Sequence, residues 1–121
     1  MPSLVNRRLF ITGMGSGIGL ATARLAVAEG AKVAGSIQSA DQLAHLSGIV
    51  QEDRCYELDV TNEAALDAAV ADAAGRLGGL DGIVASAGII MLLTSADTDS
   101  ADWSRIIETN LTASFTLARA A

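Results

Sequence analysis

The chain has 121 residues, half of them hydrophobic but only 3% aromatic, and a formal net charge of −6. That length holds one domain with a real core. The acidic balance and the scattered basic residues argue against nucleic acid or an anionic membrane as a partner. Cys55 is the single cysteine, which excludes an internal disulfide and fits a reducing compartment.

Asn6-Arg7-Arg8-Leu9-Phe10 has the form of a twin-arginine export signal, with Ala26-Val27-Ala28 as its cleavage site. Arg24 interrupts the apolar stretch, however, and cleavage would discard the most glycine-rich segment, so export is rejected. No apolar run is long enough to span a bilayer, and a cytoplasmic protein is expected. Leu9, Phe10 and Ile11 read as a strand buried on both faces. Glycines follow at 13, 15, 17 and 19. Ile18, Ala21, Leu25 and Ala28 then keep helical spacing, which places the glycines at a strand-to-helix turn. There they permit positive φ, let bare backbone approach a phosphate, and let the helix pack closely on the strand. The helix N-terminus adds free N–H groups and the positive end of its dipole.

Gly30 stops that helix. Lys32–Ser36 reads as a second strand, Ala40–Leu46 as a short helix ended by Ser47-Gly48, and Cys55–Val60 as a third strand with its acid at the C-terminal end. Cys55 is expected to be a small core residue. His45, the only histidine, lacks partners for a metal and suits a surface helix position. Thr61 is placed to N-cap a helix whose apolar face is Leu66, Val70, Ala73 and Leu77. Gly78-Gly79 end it, and Gly82–Ser86 reads as a fourth strand. Asp97–Ser100 reads as a polar loop, and a long helix runs from about Asp102 to the end. Asp97, Asp99, Asp102 and Glu108 faintly echo a calcium loop, but Ala101 takes a ligand position and Asp102 the required glycine, so no metal site is expected. Strands alternating with helices imply right-handed crossovers and a doubly wound parallel sheet, a three-layer α/β/α arrangement of about four strands with flanking helices.

The glycine spacing separates the nucleotide-binding motifs. A Walker loop needs Lys-Ser/Thr after its last glycine, and Ile18-Gly19-Leu20 offers none. A strict GxGxxG would need glycine at Ile18 or Leu20. Thr12-Gly13-x-x-x-Gly17-x-Gly19 resembles the fingerprint of the short-chain dehydrogenase/reductase family, and the rest of the chain resembles that family in order. The resemblance implies a Rossmann-like domain over residues 1–121, incomplete at its C-terminal side, that binds NAD(P). Gly13, Ser16, Gly17, Ile18 and Gly19 would line the pyrophosphate. Asp59-Val60 matches the family's Asp-Val pair at the adenine. Ala87-Gly88 matches the end of its Asn-Asn-Ala-Gly, with Ala85 and Ser86 in place of the asparagines, so that Ser86 keeps one hydroxyl. Asn110 matches the helical asparagine that places a water in the family's proton relay.

At the end of the second strand an acid would select NAD and an arginine NADP. Ile37 and Gln38 stand there, so the lean is towards NADP, with Ser36, Gln38 and Ser39 as neutral donors. The family's catalytic serine and Tyr-x-x-x-Lys find no match. The one tyrosine, Tyr56, and the one lysine, Lys32, lie on different strands. The resemblance therefore implies the cofactor half of an oxidoreductase that moves hydride between NAD(P) and a small carbonyl compound or secondary alcohol. The chain itself is expected to turn nothing over, to leave the edge at Ile83–Ala85 exposed, and to associate as a homo-oligomer or with a complementary chain. A non-catalytic dinucleotide-binding module and an inert truncated fragment are the alternatives.

Overall fold

Phe10 and Ile11 are neighbours in one strand, and both are fully buried. Side chains alternate across a strand, so this requires a sheet covered on both faces. The computed structural model describes residues 3–121 and has that form. Strands β1 (Arg8–Thr12), β2 (Lys32–Ile37), β3 (Cys55–Glu57) and β4 (Gly82–Ala85) make one parallel sheet in the order β3-β2-β1-β4. Helices α1 (Gly17–Ala28), α2 (Leu43–Leu46, entered through a 3₁₀ turn at Ala40–Gln42), α3 (Glu63–Leu77), α4 (Ser100–Ile107) and α5 (Ala113–Ala120) connect and follow the strands.

One core contains Ile11, Val33 and Ile37 with Ala23 and Ala26 of α1 and Leu46 of α2. The other contains Phe10 and Ala34 with Leu66, Val70, Ala73 and Leu77 of α3 and Leu117 of α5. Period-two alternation in β1 and β2 thus sorts residues into two layers. The expected face of α3 is the buried one, and Gly78 closes that helix in the left-handed conformation, at φ +82°.

Helix α1 corrects the sequence reading. Ile18 and Leu25, read as part of its apolar stripe, are 80% and 64% exposed, whereas Gly19, Ala23 and Ala26 are buried. The phase is set by Gly19, which lies directly against the Gly13 carbonyl. Only small side chains then fit beneath the helix, and the larger ones face away. Asn62, rather than Thr61, caps α3, accepting the Ala65 N–H at 3.1 Å. Strand β3 ends at Glu57, so Asp59 and Val60 lie in the loop beyond it. β4 ends one residue early at Ala85, and the last helix starts at Ser100 with Asp99 as its cap. That helix is interrupted by a π-helical turn at Glu108–Thr112. Such turns mark functional positions more often than chance.

Cys55 is half-buried, and its thiol is pushed up to about 11, first by burial and then by Glu52 and Asp53. At the amino end of the sheet, Arg8 grips the Asp81 carboxylate with Nε and Nη2 at 2.9 and 3.0 Å and donates to the Gly78 carbonyl at 2.5 Å. This fork joins β1 to the turn that ends α3 and starts β4.

Candidate functional site

In a parallel sheet the strand order reverses where the chain leaves one side of β1 and returns on the other, and the carboxyl ends there diverge into a crevice. Here β1 lies between β2 and β4, and a cleft of about 390 Å³ opens at their carboxyl ends. That volume is in the range of small-molecule sites.

The glycine turn forms its floor. Gly13 has φ +66°, and a Cβ there would lie 2.8 Å from Ala87 Cα, so this position needs glycine for both conformation and space. Gly17, the first residue of α1, needs it for conformation alone: φ is +54° and nothing lies within 4 Å of its would-be Cβ. At Gly19 a Cβ would meet Ser86 Oγ at 2.6 Å and the Gly13 carbonyl carbon at 2.7 Å. Backbone is thereby bared toward the cleft at the positive end of α1. Ser16, at the N-cap, makes no side-chain capping bond and faces the same space. This is the geometry that holds a phosphate or another anion.

Three braces fix the turn. The Ser36 hydroxyl accepts the Gly13 N–H at 3.1 Å, and the Ser36 carbonyl accepts the Met14 N–H at 2.9 Å. Ser86 donates to the Thr12 carbonyl, and Ala87 N–H donates to Thr12 Oγ1 at 3.3 Å. His45 places Nδ1 2.8 Å from the Gly15 carbonyl, so its surface position carries a contact with the turn. Ser36 is 1% exposed and occupied as a brace, and Ser39 is bonded to Asp41. Of the three neutral donors expected at the end of β2, Ser36 and Gln38 line the cleft and Ser39 does not, and the Ser36 hydroxyl is already engaged by Gly13.

The outer wall comes from the β3–α3 loop and from α4. Asp59 Oδ1 accepts the Thr61 N–H at 3.0 Å and the Thr61 hydroxyl at 2.8 Å, while Oδ2 lies 3.5 Å from Arg105. The carboxyl is held below its usual range, first by the Thr61 N–H, then by the Thr61 hydroxyl, with a smaller contribution from Arg105. Asn110 lies in the π-helical turn and does not line the cleft. Its side chain makes a reciprocal pair with the Ile89 backbone, Oδ1 accepting the N–H at 2.8 Å and Nδ2 donating to the carbonyl at 2.9 Å. Asn110 thus fixes the loop after Ala87-Gly88, and Ile89 forms part of the wall.

The cleft gathers Gly13, Ser16, Gly17, Ile18, Gln38, Asp59, Val60, Ser86, Ala87 and Gly88 from four separate segments. Gly19 lies behind the turn as a packing residue. Sequence reasoning missed Gln42, Arg105 and Thr109, which also line it. Helical spacing alone does not reveal them. Thr109 is 5% exposed, and its Oγ1 is a buried polar atom with no hydrogen-bond partner among the described residues. Buried polar atoms are normally paired, so this one stands out. Tyr56 and Lys32 are not brought here. Tyr56 donates to Asp72 at 2.5 Å on the α3 side of β3, its phenol pushed up to about 12 by burial and by Asp72, and Lys32 begins β2 at the opposite edge. Among the described residues no cluster suited to a metal ion occurs, and no helix is long and apolar enough to cross a membrane.

Comparison with known proteins agrees with this geometry. The family model for short chain dehydrogenases matches residues 7–121. A 2-(S)-hydroxypropyl-CoM dehydrogenase of Xanthobacter autotrophicus is 38% identical, over 98% of this chain and 48% of its own length. A 3-alpha-(or 20-beta)-hydroxysteroid dehydrogenase of Mycobacterium bovis is 36% identical, over 93% of this chain and 44% of its own. Among solved structures, a glucose/ribitol-type short-chain dehydrogenase/reductase of Brucella melitensis superposes with TM-score 0.88 at 34% identity, over 98% of this chain and 51% of that one. A Serratia marcescens short-chain dehydrogenase/reductase gives 0.90 at 29% identity, over 100% of this chain and 51% of that one. The fold and the cleft define a Rossmann-like α/β architecture. The chain belongs to the short-chain dehydrogenase/reductase family, and it spans about half the length of the curated relatives it matches.

Proposed function

We propose that this chain is the dinucleotide-binding half of an NAD(P)-dependent oxidoreductase acting on a carbonyl compound or secondary alcohol in the cytoplasm. The observation that carries the reading is the cleft itself, where the Gly13–Gly19 turn, Asp59 and the Ser86–Gly88 segment converge. Bound NAD(P) supplies or accepts the hydride.

In this reading the N–H groups at the start of α1, with the Ser16 hydroxyl, hold the pyrophosphate. Asp59 orients the adenine by accepting from its exocyclic amine, helped by a carboxyl that stays ionised. Ser86, Ala87 and Gly88 bring backbone against the ribose on the nicotinamide side. Asn110 holds that loop through Ile89. With its side chain committed there, only its main chain is left to place a water for the relay. The lean is towards NADP, since no carboxylate occupies positions 37 or 38.

We also propose that the chain alone turns over no substrate, because it brings no tyrosine–lysine pair to the cleft, and that it works as an oligomer or beside a complementary chain. Titration with NADPH and NADH, followed by energy transfer from Trp103, tests the cofactor reading. Saturable binding that Gly13→Val abolishes is the expected result. No binding of either dinucleotide at millimolar concentration would refute it.

A further inference from the structure

Gln42 belongs to no motif, yet it lies across the glycine turn. It ends the 3₁₀ turn Ala40–Gln42, and its Oε1 accepts the Gln38 N–H at 2.9 Å at the carboxyl end of β2. A carboxamide has one acceptor and two donors. The N–H of Gln38 must face the acceptor, which fixes the amide's orientation and turns Nε2 away from that backbone. Nε2 makes no hydrogen bond among the described residues, and Gln42 lines the cleft. The space it occupies is kept open by Gly15, where a Cβ would lie 2.7 Å from both Gln42 Cβ and Cδ. Gly15 has no positive φ, so glycine there serves the seat of Gln42 rather than the shape of the turn.

Among the residues at the end of β2, Gln38 alone carries the same carboxamide to the cleft. Ile37 is 2% exposed and apolar, Ser36 braces Gly13, and Ser39 is bonded to Asp41. In a dinucleotide-binding sheet the 2′ position of the adenosine ribose is read at the end of β2. We infer that Gln42 reads this position, donating from Nε2 to the 2′-phosphate of NADP while its Oε1 stays on Gln38. A neutral amide thereby takes the role that a basic side chain fills elsewhere. The inference rests on the dinucleotide reading above and adds the residue that sets its selectivity.

The test compares NADPH and NADH binding to the 121-residue chain and two variants. Gln42→Glu is isosteric and keeps an oxygen for the Gln38 N–H, but it places a carboxylate where the amide donor was. NADPH affinity should fall about tenfold or more relative to NADH, the size of a lost charge-assisted hydrogen bond with repulsion added. Gln42→Met keeps length without donor or charge and should lower the NADPH-to-NADH ratio about fivefold. Both variants should keep the wild-type circular dichroism. Parallel loss of both dinucleotides would show that Gln42 only straps the turn to β2 and would overturn the inference, as would an unchanged ratio. Failure of the unmutated chain to bind either dinucleotide would instead refute the cofactor reading on which the inference stands.

Discussion

Gly19→Ala isolates the contact that sets the depth of the cleft floor. The new Cβ would lie 2.7 Å from the Gly13 carbonyl carbon and 2.6 Å from Ser86 Oγ. Carbon atoms settle at about 3.5–4.0 Å, so α1 must retreat by about 1 Å. The first obstacle is backbone and cannot rotate away. Retreat loosens Ala23 and Ala26 from the core around Ile11 and Val33, and overpacking against backbone that cannot yield costs about 2–3 kcal/mol, the upper part of the usual range. Alanine's better helix propensity offsets about 1 kcal/mol of that. A net loss of about 1–2 kcal/mol is expected, measured as a lowered urea midpoint with an unchanged m-value. Gly17→Ala should lose a similar amount for a different reason: its φ of +54° is strained for alanine by about 1–2 kcal/mol, although its surroundings are empty. Adding Ser86→Ala separates the two causes. It removes one of the clashing atoms, so it should relieve Gly19→Ala by about 0.5–1 kcal/mol beyond additivity and leave Gly17→Ala additive. A Gly19→Ala chain as stable as the parent, or identical responses of both variants to Ser86→Ala, would refute the steric account.

Thr109→Val removes a buried hydroxyl that has no partner among the described residues and keeps the volume. Urea unfolding should show it neutral or more stable by up to about 1 kcal/mol, while dinucleotide affinity falls; destabilisation would mean the hydroxyl is already bonded. Asn110→Ala breaks both bonds to Ile89 and should cost about 1 kcal/mol at this exposed position. Hydrogen exchange of the Ile89 amide should accelerate selectively, and an unchanged rate would count against the brace. Arg8 holds the Asp81 carboxyl down to about 2, through its side-chain hydrogen bonds first. A depressed carboxyl stabilises the fold above its unfolded pKa of about 3.9 and loses that contribution as pH falls toward 2. Acid unfolding followed between pH 5 and 2 should therefore become shallower in Asp81→Asn, and equal slopes would exclude the pair as a source of acid sensitivity.

The sequence was most legible where one residue type has one use. Four glycines directly after an apolar strand mark a strand-to-helix turn, and Leu66, Val70, Ala73 and Leu77 form a stripe with no competing phase. Helix α1 was misread because nearly all its sides are apolar, so spacing alone could not select a face. Contact between Gly19 and Gly13 selected it, and that contact depends on the turn's three-dimensional path. Thr61 and Asn62 are both good caps in adjacent positions; the Asp59 carboxylate decided between them by engaging Thr61. None of Gln42, Arg105 and Thr109 carries a spacing signature; Arg105 and Thr109 reach the cleft from elements distant in sequence, and Gln42 folds back from four residues beyond Gln38.

What unites the cleft is that side chains mostly hold backbone, and backbone forms the wall. Ser36 fixes Gly13, Ser86 fixes Thr12, Gln42 fixes Gln38, and Asn110 fixes Ile89, each through a main-chain group. Glycine makes a wall of bare amides possible but also makes it floppy, since it loses the most conformational freedom on folding. Four polar braces in four different elements supply the missing stiffness without placing a bulky side chain in the crevice. The replacement of the family's paired asparagines by Ala85 and Ser86 fits this division of labour. Ser86 still ties β4 to the end of β1, whereas Ala85 carries no polar side chain. Loss of precision at this site should therefore follow removal of a brace more closely than substitution of an exposed residue lining the cleft. Ile18, 80% exposed at the rim, is the natural control: Ile18→Ala should leave the turn's amide protection intact, whereas Ser36→Ala should not.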